Sequence, residues 1–444
     1  MKNEEQYIYV IGESSARGEP YNPKISYYKI FNYMVNGKIN NKKIKFIVIA
    51  KSGNRIHEQF YKYFIYKYTH PFKKGIVFIY GGKNDWDNGL NRYNFNRYIG
   101  YNIFYILNDS VINILSFKNR RNRGNFKYNY ERIILLAKKF EDDVFVSTIE
   151  GNYAGFMPHL DINNASHKKQ FQEIDEYIFK KNYQKALFLL NNIFLRRNID
   201  KSWILYRIGK IYEFTGKNKE ANDNFIKAVG FYTDLRPTQH QNDVIRELAT
   251  KYNVELVDIF DKLYNSGEII GFNFYMDNQH PNLKTYIMIA KLFVDAVSKK
   301  YNVSINMKRY NTTEQEIFKN FNFNKRDQYK VYRNSLDVTL VHSKDYDNSN
   351  IYVFDKVNEY LKQVDLLNPY DEKRKEVIMS FYNMMYEALK GNKEKVKEIF
   401  NDSHLINIDK NLIESRTCDW EEYNNWVSDY LGIQDFFDLS KRYI

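Results

Sequence analysis

Residues 7–21 read Tyr-Ile-Tyr-Val-Ile-Gly-Glu-Ser-Ser-Ala-Arg-Gly-Glu-Pro-Tyr. The first five are apolar or aromatic and suit a strand buried on both faces. The run breaks at Gly12, and a serine pair, Gly18 and Pro20 follow. That is a strand entering a tight turn, with hydroxyl side chains at its carboxyl end. In open α/β sheets, ligands bind at the carboxyl ends of strands. A serine held there has backbone N–H groups nearby to face a developing oxyanion. A serine after a strand also commonly caps the next helix, so the stretch needs company to carry chemistry.

Working outward, further apolar runs lie at residues 45–50, 76–80, 143–149 and 254–260. Segments of helical periodicity separate them, at 25–35, 56–68, 130–140 and 242–252. Strands alternating with helices give a parallel α/β sheet. The expected fold is therefore a five-stranded parallel sheet with helices on both faces. Gly53 follows the second run, Gly82-Lys83-Asn84-Asp85 the third, and Asp277-Asn278-Gln279-His280-Pro281 comes after the fifth.

In that order the four blocks resemble those of the SGNH (GDSL-type) hydrolase superfamily: G-D-S, an isolated Gly, G-x-N-D and D-x-x-H. The first block departs from the pattern, with Glu13 in place of Asp. The resemblance implies a flavodoxin-like hydrolase domain that cleaves an ester through a serine. Ser14 would be the nucleophile and His280 its base. Asp277 would orient the imidazole and stabilise the imidazolium, as in other triads. The N–H groups of Ser14 and Gly53 and the Asn84 amide would form the oxyanion hole. Ser15 competes with Ser14 but falls one position late. Each block also has a purely structural reading: Ser14 as a helix cap, Gly53 as a strand end, Asn84-Asp85 as a turn, and residues 277–281 as a cap before the helix at 285–299. The four together favour the catalytic reading.

Between residues 161 and 234 the alternation stops and four amphipathic helices fit. Leu205, Ile208, Gly209, Tyr212, Ala221, Phe225 and Ala228 match tetratricopeptide spacing. About one and a half repeats are visible, too few to stand alone, so these helices are expected to pack on the rest of the chain. The arrangement resembles a bacterial branch of the superfamily with such helices inserted before the last block. In that branch a segment ending in Asn and Pro follows the fourth strand, and here 150–158 occupies the place. The expected domains are 1–160 and 235–301 for the two parts of the hydrolase domain, 161–234 for the insertion, and 302–444 for a helical domain of unknown role. Trp420, Tyr423 and Trp426 read there as a packing cluster.

Composition bounds the rest. The chain has 444 residues, 43% hydrophobic, enough for sizeable cores. Lys, Asn, Ile, Tyr and Phe are heavily used, which fits AT-rich coding. The net charge is +13, but the Lys residues are dispersed, and the densest cluster, at 118–123, reads as a solvated loop. Nucleic acid is therefore not an expected partner. A single cysteine, Cys418, precludes an intrachain disulfide. No apolar run reaches the ~18 residues of a membrane span, no signal-peptide segment opens the sequence, and the chain reads as cytoplasmic. No phosphate loop of the G-x-x-x-x-G-K-[ST] type and no metal-ligand spacing occurs, so no cofactor is expected. The other histidines, His57, His70 and His159 among them, read as surface or packing residues, with His57 notable for its place beside Gly53.

Three functions follow from the sequence. The preferred one is a serine esterase removing an O-acyl group, with O-acetyl on a carbohydrate as the expected substrate. The second is an O-acyltransferase using the same triad. The third is a non-catalytic protein that binds a protein partner through its helical insertion or carboxyl-terminal domain. It expects Ser14, Asp277 and His280 not to meet.

Overall fold

The computed structural model describes residues 5–85, 126–158, 165–194, 201–230, 236–344 and 351–402. The basic cluster at 118–123, His159, Cys418 and the aromatic residues at 420–426 lie outside these ranges.

Strands β1 (Glu5–Gly12), β2 (Lys38–Ile39), β3 (Lys42–Val48), β4 (Gly75–Tyr80), β5 (Asp143–Ser147) and β6 (Glu255–Val257) form one six-stranded sheet in the order β2-β3-β1-β4-β5-β6. All pairings are parallel except β2 with β3. The sheet is thus α/β but mixed, which corrects the five-stranded parallel expectation. Asn40 and Asn41 take positive φ (47° and 63°) and fold β2 back onto β3, the conformation a two-residue hairpin requires. A two-residue strand leaves no periodic trace in sequence. The last apolar run also ends early. The Asp258 carboxylate accepts from the Asp261 N–H (3.0 Å) and starts a helix where the run had suggested continued strand.

Helices α1 (Ser14–Arg17), α2 (Tyr27–Met34), α3 (Ile56–Thr69) and α4 (Phe126–Lys139) fall between the early strands. Four more, α5 (Ala165–Phe179), α6 (Tyr183–Phe194), α7 (Lys201–Phe214) and α8 (Asn218–Gly230), follow β5 without an intervening strand. Then come α9 (Gln239–Tyr252), α10 (Ile259–Tyr264) and α11 (Leu283–Tyr301) around β6. Strand side chains alternate between faces. Phe78 of β4 meets Phe31 of α2 and Phe293 of α11. Tyr9 of β1 packs on Tyr63 and Tyr66 of α3 from the opposite face. α3, α4 and α9 contact one another in turn on that second face. The core of β1 and β4 is sealed on both sides, with Ile8, Val10, Val77 and Ile79 fully buried. The strand order reverses beside β1, with β3 on one side and β4 on the other. That topological switch is where a crevice opens at the carboxyl ends.

The helices after β5 pack on both neighbours. In the α7–α8 pair, a Cβ on Gly209 would lie 2.6 Å from Phe225 Cε1, so only glycine admits this approach. Trp203 and Tyr206 of α7 donate to the Pro158 and Ala154 carbonyls (3.0 and 2.8 Å). Arg207 pairs with Asp175 of α5 (2.6 Å), and Tyr352 donates to the same carboxylate (2.8 Å).

The chain continues through α12 (Met307–Tyr310), α13 (Glu314–Asn320), α14 (Lys325–Lys344), α15 (Phe354–Leu367), α16 (Glu372–Leu389) and α17 (Lys393–Asp402). These dock against the sheet domain: Lys24 pairs with Asp327 (2.6 Å), Tyr21 packs on Phe323, and Tyr360 of α15 donates to the Met276 carbonyl. Among the described residues, no helix is long and apolar enough to cross a membrane.

Candidate active site

β1 delivers the first group. Gly12 adopts φ +149°, and a Cβ there would sit 2.0 Å from the Tyr80 carbonyl oxygen. Only glycine lets the ends of β1 and β4 come this close. The chain then turns into α1, whose first residue is Ser14, so the Ser14 N–H lies in a helical first turn and has no partner within that helix. Ser14 is buried, 6% exposed.

The second group arrives from beyond β6. Residues 276–281 fold into a tight turn in which the Met276 N–H donates to the His280 carbonyl (2.9 Å). Asp277 Oδ1 accepts the Gln279 and His280 N–H groups (3.0 and 2.8 Å). Its other oxygen, Oδ2, lies 2.7 Å from His280 Nδ1, and His280 Nε2 lies 2.7 Å from Ser14 Oγ. The three residues singled out from sequence thus form one hydrogen-bonded chain, carboxylate to imidazole to hydroxyl. Ser15 does not compete: its hydroxyl donates to the Gln279 carbonyl (3.2 Å) and pins the same turn. His57 stands in the first turn of α3, and His70 stacks on Tyr66.

Charge follows this geometry. Burial pushes the Asp277 carboxyl up, but the adjacent imidazole and the two N–H donors outweigh it and hold Asp277 below its usual range. Burial pushes the His280 imidazole down, yet Asp277 and Glu19 prevail over burial and over the Lys83 charge and raise it above its ordinary value. The side chain of His280 stays 15% exposed and that of Asp277 only 1%. A neutral imidazole in this setting accepts a proton readily, and a buried carboxylate stabilises the resulting cation.

The remaining predicted residues lie on two loops tied together. Asn84, buried after β4, donates its amide Nδ2 to the Asn54 carbonyl (2.9 Å). Asp85 Oδ2 accepts the Ile56 N–H at the start of α3 (2.7 Å). The Lys51 N–H donates to the Gly12 carbonyl (3.2 Å), which holds the 51–56 loop against the end of β1. Gly53 is exposed on this loop with φ +77°, and space is open where a Cβ would point. An amide nitrogen carries two hydrogens, so Asn84 keeps one donor beyond its bond to Asn54.

Several contributors escaped the sequence reading. Glu13 is buried, and its Oε1 accepts the Gly82 N–H (2.5 Å), tying the first block to the third. Burial pushes its carboxyl up to about 7, although the Gly82 N–H and the Lys83 charge oppose the rise. Asn152 Nδ2 donates to the Asp277 carbonyl (2.8 Å), and the Asn152 N–H donates to that of Asn278 (3.0 Å). Gln241 of α9 reaches the Gly82 and Asp85 carbonyls (3.0 and 2.7 Å). These bonds join loops far apart in the chain. Two sequence signals were local: Glu13 stands where the first block was expected to carry Asp, and Asn152 sits in the 150–158 segment just after β5.

No protein-family model matches the chain, and no curated protein matches it significantly.

Proposed function

We propose that this protein is a serine esterase of the SGNH type, cleaving an O-acyl ester through an acyl-Ser14 intermediate. The observation that carries the proposal is the Asp277–His280–Ser14 chain, with 2.7 Å at each link to the imidazole. In the proposed reaction His280 Nε2 takes the Ser14 proton as Oγ attacks the ester carbonyl. The tetrahedral oxyanion is met by the Ser14 and Gly53 N–H groups and the Asn84 amide. Collapse expels the alcohol, which receives the proton from His280. Water then attacks the acyl-serine, again giving up its proton to His280, and the acid leaves as Ser14 regains its hydrogen. Strand order, the site's position at the topological switch, and the Gly12–Tyr80 approach all support a flavodoxin-like hydrolase domain. Acetyl on a carbohydrate is the proposed substrate, on the strength of the resemblance described above and the chain's many aromatic residues, which suit stacking on sugar rings.

The test is hydrolysis of p-nitrophenyl esters, acetate upward, by the full chain and by Ser14→Ala. Turnover that favours acetate and disappears in the variant is expected. Equal turnover in both proteins, or none in either, counts against the esterase. If added sugar diverts most of the acyl group from water, the protein is an acyltransferase using the same residues.

A further inference from the structure

Lys83 occupies the variable position of the 82–85 stretch and is 2% exposed. Its Nζ donates to Glu150 Oε1 (2.9 Å), to the Tyr80 hydroxyl (3.0 Å) and to the Gln279 carbonyl (3.3 Å). Tyr80 donates to the same oxygen of Glu150. The ammonium also lies over the rings of Tyr80 and Tyr275. The hydration lost on burying such a pair offsets much of its attraction, so stability alone is a poor reason for it, and apolar side chains would fill the space as well.

The third bond supplies a reason. Gln279 immediately precedes His280, and its carbonyl also takes the Ser15 hydroxyl. Lys83 and the residue after Ser14 therefore grip the same point of the turn that carries the imidazole. The charged groups acting on His280 come from three elements. Asp277 on its own turn and Glu19 after α1 favour protonation, whereas Lys83 after β4 disfavours it. Glu13 is the further acid that feels the Lys83 charge.

We infer that the Lys83–Glu150 pair is the positioning element of His280: the ammonium clamps the Gln279 carbonyl, its charge offsets the carboxylates that face the imidazole, and Glu150 keeps the ammonium in place. The catalytic meaning of this pair rests on the esterase reading, but the arrangement is measurable without substrate.

The experiment is an NMR titration of the isotope-labelled histidines in the full chain, with His280→Asn used to assign the signal. In Lys83→Met the His280 midpoint is expected to move to higher pH by roughly 0.5–1 unit, the effect of losing a nearby cation. In Glu150→Gln it is expected to move the other way, because the ammonium is no longer balanced. Lys83→Arg keeps the charge and should restore the wild-type midpoint. Opposite shifts are not what simple loosening of the turn would produce. An unmoved midpoint in a folded Lys83→Met protein, or shifts of the same sign in both variants, overturns the inference. Should Lys83→Met not fold, the sign of the Glu150→Gln shift decides. Expected shifts in a protein without esterase activity would sink the esterase reading and leave this one standing. Ser14-dependent activity with an unmoved midpoint would do the reverse.

Discussion

Ser14 Oγ and His280 Nε2 lie 2.7 Å apart although 266 positions separate them in the chain. In the proposed reaction His280 must be neutral to take the serine proton. Since its proton affinity is raised above the ordinary 6.5, kcat/KM should climb with pH through a midpoint above 6.5 and be lost below it. Asp277→Asn removes the carboxylate that raises it, so the midpoint should fall while kcat drops by about 10⁴. A pH–rate profile of both proteins checks this, and an unshifted acid limb would remove Asp277 from its role.

The Asn84 amide is proposed to face the oxyanion while it holds the Asn54 carbonyl. Asn84→Ala should lower kcat by about 10²–10³ with little change in KM. It should also cost about 1 kcal/mol of stability through the lost bond. Steady-state kinetics beside thermal unfolding separates the two effects. A variant that loses stability but not kcat would leave Asn84 a tether alone.

Gly53 tests the same hole differently. A Cβ there meets open space, but φ is +77°, so Gly53→Ala should cost about 1–2 kcal/mol in backbone strain. Calorimetry is the measurement, and an unchanged melting temperature would contradict the strained turn.

Glu13 gives an unusual pH dependence of stability. The folded protein holds this proton up to about 7, whereas an ordinary glutamate loses it near 4.5. Between these values the native state binds more protons than the unfolded one. Stability from this group therefore declines as pH rises from 4.5 towards about 7 and stays level above, by up to about 3 kcal/mol. Glu13→Gln keeps an acceptor for the Gly82 N–H and has nothing to titrate. Urea unfolding at about pH 5 and about pH 8 should show a smaller drop for the variant.

In the α7–α8 pair, Gly209→Ala would press its methyl into the Phe225 ring. A loss of about 1–3 kcal/mol is expected from overpacking, and Phe225→Leu in the same chain should relieve part of it. Additive effects in the double variant would show that the two residues do not share this contact.

The alternation of strands and helices was legible because β1, β4 and β5 carry unbroken apolar runs at 7–11, 76–80 and 144–146, buried beneath helices. Ser14, Asp277 and His280 were singled out by the resemblance of their short blocks to a known pattern, and the three-residue step from Asp277 to His280 is one that a single tight turn can close. β2 was not legible, since two residues carry no period. The start of α10 hung on one carboxylate, that of Asp258. Lys83 and Glu150 could not be paired from sequence, because only the β4–β5 register brings the ends of those strands together.

Tyr360 reaches the carbonyl of Met276, the residue before Asp277, from 84 positions further along. Residues 5–301 therefore hold every group of the triad but not every brace of its turn. During synthesis Ser14 emerges first, His280 much later, and the tyrosine that steadies the His280 turn later still. A nascent chain stalled before α15 would carry Ser14, Asp277 and His280 without this brace on the His280 turn.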